Sequence, residues 1–145
     1  MKTVFDSPPW AKVALVIARL TLTLVFLMAF ASKATGIGMI AQIIGSAGFP
    51  FPYFLAVVAA ILELALVLSL LTGAFFSEMM LLGAAYVVFL AFAFHGPSHW
   101  TDAKNLELGS FVSHFPFAAA MLLAAVHGPG QWLAMNRGVL RRHVD

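Results

Sequence analysis

Four long apolar runs, separated by short segments rich in Gly, Pro or polar residues, organise this chain. They are Val13–Ala31 (VALVIARLTLTLVFLMAFA), Tyr53–Leu71 (YFLAVVAAILELALVLSLL), Met79–Phe94 (MMLLGAAYVVFLAFAF) and Leu106–Val126 (LELGSFVSHFPFAAAMLLAAV). A bilayer core about 30 Å thick takes about 20 such residues per helix. The pattern predicts an all-α fold: a polytopic membrane four-helix bundle forming one domain over residues 1–145. His95–Gly96–Pro97 and His127–Gly128–Pro129–Gly130 punctuate the third and fourth runs, as helix ends require. The first run is longer than a signal-peptide core and holds an arginine, so it reads as a retained span.

Charge placement sets an expected orientation. An even number of spans returns the chain to its starting side, which carries Lys2, Lys12, Arg137, Arg141 and Arg142. The opposite side carries Lys33 and Lys104. The positive-inside rule then places both termini in the cytoplasm. The connection Thr72–Ser77 is short and lies on that side. The longest connection, Ser32–Pro52, lies outside. Its Met39–Ile44 stretch suggests a re-entrant or interfacial turn, and Gly48–Pro52 (GFPFP) is stiffened by its prolines. Trp10, Tyr53, Trp100 and Trp132 fit interface anchors.

Composition agrees with the pattern. The chain is 62% hydrophobic and 10% charged, with a mean hydropathy of +0.97. Soluble domains carry about 25% charged residues, so the lipid bilayer is the expected environment. There is no cysteine, which excludes thiolate chemistry, disulfides and cysteine-held clusters within this chain. The net charge of +2 resides in basic ends, so a nucleic-acid partner is not expected.

Against this background the ionisable residues inside the spans stand out. Glu63 sits at the middle of the second run, where a carboxylate needs a partner or a task. Arg19 lies about 9 Å into the first helix at 1.5 Å per residue. Ala56, Ala59 and Ala60 would let a neighbouring helix approach Glu63 closely. The expectation is a buried Arg19–Glu63 pair. His114, mid-way along the fourth run, would be a third member if it faces them, and Pro116 would bend the helix beside it. Such a core either fixes helix pairing, or binds a ligand and carries a proton.

A second group falls at the outer edge: Lys33, His95, His99, Asp102, Lys104, Asn105 and Glu107. It reads as a solvated mouth with a Lys33–Glu107 pair. The His95-x₃-His99 spacing with Asp102 resembles a metal half-site, but Pro97 interrupts the geometry, and no metal is expected. His95, His114 and His127 lie at unmatched depths, which disfavours a haem held between helices.

The order of these features resembles the DoxX family of small four-helix membrane proteins. The resemblance rests on Arg19 and Lys33 around the first apolar run, Gly48–Pro52, Glu63, Lys104–Asn105 and His127–Trp132 (HGPGQW). It spans nearly the whole chain. Ser110, Ser113 and His114 stand where family members often have glycines, so no role for His114 follows from it. The resemblance implies roles such as the small membrane subunit of a thiosulfate:quinone oxidoreductase, a membrane partner of redox-stress enzymes, or a companion of metal-handling proteins.

Together these readings give an inner (plasma) membrane, multi-pass protein of bacterial type. It is expected to be an accessory subunit or anchor of a quinone-linked redox complex, non-catalytic by itself. A protein partner or homo-oligomer is expected, with no intrinsic cofactor and quinone as the candidate ligand. A small-molecule permease and a non-enzymatic scaffold are the alternatives.

Overall fold

The computed structural model describes residues 8–100, 106–130, 132, 134, 135 and 138–140, with only the backbone of residue 99. Asp102, Lys104 and Asn105, the His99 side chain, and Lys2, Arg137, Arg141 and Arg142 lie outside the described residues.

Four helices make up the fold: α1 (Pro9–Ser46), α2 (Pro52–Thr72), α3 (Phe76–His95) and α4 (Leu106–His127). Each is long and apolar enough to cross a membrane. In hydrocarbon every backbone N–H and C=O must be bonded within the protein, which is why apolar runs of this length become helices. A short 3₁₀ turn, Pro97–His99, follows α3. Pro116 sits inside α4, which remains one helix.

The second, third and fourth spans fall close to the expected bounds. The first does not. Most of Ser32–Pro52, expected as a loop, is helix: α1 continues to Ser46, with one non-helical residue at Gly36 (φ −142°, ψ 40°). The extension has a physical reason. Ala41 and Ile44 bury against Ala56 of α2, and Ile37, Ile40, Phe49, Leu55 and Phe94 pack around them. This small core offsets the weak helix propensity of the Gly-containing stretch.

The helices pair as two hairpins, α1 along α2 and α3 along α4, with slight contact between α2 and α3. All four contribute to one central core. Leu22 and Phe26 of α1 meet Leu66 and Leu70 of α2, Met80 and Val87 of α3, and Met121 of α4. Packing is tight at Gly83: a Cβ there would press on the side-chain tips of Met121 and Leu66, which would have to shift.

After α4 the chain turns back under the bundle. Met135 N–H donates to Thr72 O at 2.6 Å, and Glu78 accepts from the backbone N–H groups of Val139 and Leu140. Gly73 ends α2 at φ +74°, and a Cβ there would sit 2.9 Å from Ala134 Cβ. The start of α1 and the segment after α4 therefore share one end of the bundle.

Candidate functional site

Hairpin register decides who meets Glu63. The α1–α2 turn centres near residue 49, so antiparallel pairing places Glu63 opposite roughly residue 35 of α1. Arg19 falls opposite a point past the end of α2. Lys33, not Arg19, is therefore the level partner. Its Nζ donates to Glu63 Oε1 at 2.8 Å. The Tyr86 hydroxyl of α3 donates to the same oxygen at 2.9 Å. The other oxygen, Oε2, is buried and has no hydrogen-bond partner among the described residues. Glu63 is 1% exposed. The triad thus ties α1, α2 and α3 together and leaves one carboxylate oxygen unsatisfied.

This corrects the expected Arg19–Glu63 pair. Arg19 is buried, but its guanidinium serves backbone carbonyls at the end of the bundle. Nε and Nη2 donate to Leu70 O at 2.9 and 2.7 Å, and Nη2 also donates to Leu71 O at 3.0 Å. Nη1 donates to Pro129 O at 3.1 Å and Trp132 O at 2.9 Å. The last carbonyls of a helix lack intrahelical donors and carry its negative dipole end, so a cation suits them. Arg19 caps α2 and holds the segment after α4 against it.

His114 joins neither group. Its Nδ1–H donates to Ser110 O of its own helix at 2.6 Å. Its ring lies 5.3 Å from that of His95, whose Nδ1 is 2.7 Å from Glu107 Oε2. The expected Lys33–Glu107 pair is replaced accordingly: Lys33 turns inward to Glu63, and Glu107 takes His95. The outer-edge group therefore splits. Among the described residues no set of three His, Asp or Glu side chains could hold a metal ion.

Tyr86 is the residue that sequence reasoning passed over. It stands within the third apolar run, and a phenol there needs a polar partner for its hydroxyl. That need was the available signal; only the packing of α3 against α2 makes Glu63 the partner.

The fold and its buried triad define a four-span helical membrane protein with ionisable groups inside the bundle. Residues 14–96 match the DoxX family, and the chain belongs to it. It is also similar to the inner membrane protein YphA of Escherichia coli (strain K12), at 30% identity over 129 residues covering 87% of this chain and 91% of that protein. No solved structure matches. The chain is a multi-pass protein of the inner membrane.

Proposed function

We propose that this chain is the membrane-embedded accessory subunit of a quinone-linked redox complex, with Glu63 as its working carboxylate and both termini in the cytoplasm. The unsatisfied Glu63 Oε2 carries this reading. An unpaired buried acceptor costs roughly 1–3 kcal/mol, more when charged, so a purely structural site would be expected to satisfy it. Oε1 already takes two donors from Lys33 and Tyr86, which fix the carboxylate in place. Oε2 would then accept the O–H of a hydroquinone headgroup, and take its proton as the redox partner of the complex takes its electrons. Ionisable groups within spans commonly mark such proton paths.

Any ligand reaches Oε2 only when the helices around Glu63, 1% exposed, separate; the quinone reading is preferred over a permease because a lipophilic ligand enters from the bilayer and needs no aqueous path. The Lys and Arg distribution supports the cytoplasmic termini.

The test compares wild type with Glu63→Gln in membranes assayed for quinone-linked electron transfer, with extraction of any quinone or polypeptide that copurifies. The amide keeps Oε1 as an acceptor and removes the charge. The expected result is a loss of quinone-linked activity per folded chain, beyond the fall in folded yield that comes from leaving Lys33 without its counter-charge. Unchanged activity, together with copurification of neither quinone nor a redox partner, would overturn the proposal in favour of a scaffold.

A further inference from the structure

Between α1 and α4 lies an apolar groove of about 360 Å³. Leu15, Ala18 and Leu22 form its α1 wall. Pro116, Ala120, Ala124 and Gly128, four residues apart, form the other. These small side chains would suit helix packing, yet α1 and α4 hardly touch.

The shape limits the occupant. From Pro116 to Gly128 the groove runs about 18 Å at 1.5 Å per residue, close to the depth of one leaflet of a bilayer core about 30 Å thick. Its apolar lining of Leu15, Ala18, Leu22, Ala120 and Ala124 suits an aliphatic chain lying along it.

Charge then selects the headgroup. Lys12 lies one turn before Leu15 and two turns before Arg19 on the same face of α1, at the groove's terminal end. Its ammonium makes no hydrogen bond or ion pair among the described residues. Arg19 lines the groove, but its guanidinium is engaged with the carbonyls of Leu70, Leu71, Pro129 and Trp132. An apolar groove of about leaflet depth with a lysine one turn beyond its end complements an amphiphile with an anionic head.

We propose that the groove between α1 and α4 is a binding site for one acyl chain of an anionic bilayer phospholipid, with Lys12 at its phosphate. This site is separate from the Glu63 triad and independent of the function proposed for it.

The full chain, purified in mild detergent from bilayers of equal phosphatidylglycerol and phosphatidylethanolamine, would be examined by native mass spectrometry. The wild type should retain one phospholipid per chain. Phosphatidylglycerol should be favoured about fivefold, the scale of one basic residue at an anionic membrane surface. Ala120→Phe, which fills the groove from an exposed position, should lose the retained lipid. Lys12→Gln should keep it and lose the preference. Retention of no phospholipid, equal retention of the two by wild type, or a preference unchanged in Lys12→Gln would overturn the proposal. So would a free fatty acid, a quinone or a second copy of the chain held in its place and removed by Ala120→Phe. If Ala120→Phe fails to fold, the Lys12→Gln result decides.

Discussion

Arg19 and Lys33 are both cations of α1 drawn into the bundle, and their surroundings differ in kind. Arg19 spends its donors on carbonyls of Leu70, Leu71, Pro129 and Trp132. Among the described residues these partners are all carbonyls, and the planar guanidinium fork spans the end of α2 and the segment after α4. Lys33 spends its charge on Glu63, which also receives Tyr86. There one acceptor, Oε2, remains over. The first arrangement reads as a closed structural staple. The second is held firmly on one side and open on the other. Burial alone does not distinguish them, because Arg19 at 6% and Glu63 at 1% exposure are both interior. Completeness of hydrogen bonding does.

Arg19→Ala should have the largest effect on stability. Charged hydrogen bonds contribute about 1.5–3 kcal/mol each, and several are lost at once. We expect a loss of about 3–5 kcal/mol, read as reduced folded yield and thermal stability in detergent. Arg19→Lys should recover little of it, since an ammonium cannot reproduce the fork. Full recovery by lysine would break the distinction between staple and triad.

Lys33→Met should cost about 3 kcal/mol by leaving Glu63 without its counter-charge. The double replacement Lys33→Met with Glu63→Leu should restore thermal stability, because apolar pairs of similar volume often replace buried ion pairs without loss. Quinone-linked activity should stay lost in the double variant. Recovery of both stability and activity would reduce the triad to packing and erase its difference from Arg19.

Gly73→Ala tests the staple from its far side. The left-handed backbone costs a non-glycine residue roughly 1–2 kcal/mol, and the new Cβ would press on Ala134. Proteolysis after α4 should become faster, with the Glu63 triad unaffected. The smallest effect is expected from Tyr86→Phe, about 1 kcal/mol for one hydrogen bond, read by thermal unfolding. A larger loss of activity than of stability in that variant would sharpen the triad's claim to function.

Much of the fold was legible. Spans of about 20 apolar residues leave the chain little choice in hydrocarbon, and α2, α3 and α4 begin and end near the Gly, Pro and polar signals that mark them. The extension of α1 was not. Gly36, Gly38 and Gln42 gave Ser32–Ser46 the composition of a loop, and only contact of Ala41 and Ile44 with Ala56 makes a helix there worthwhile. The site was half legible for the same reason. Glu63 was marked by its depth, but its partner depended on where α1 turns. Counting depth from a helix ending at Ala31 brought Arg19 to Glu63; a helix running to Ser46 brings Lys33.

The sequence by itself determined that this is a membrane protein of four helices, and that Glu63 and Arg19 could not be left bare in lipid. Hydropathy and the cost of buried charge are local properties, readable residue by residue. The tertiary structure alone decided that Arg19 caps α2, that His114 stays with Ser110 and His95, and that Glu63 meets Lys33 and Tyr86 with one oxygen to spare. Those outcomes depend on hairpin register, which is set by packing between segments distant in the chain.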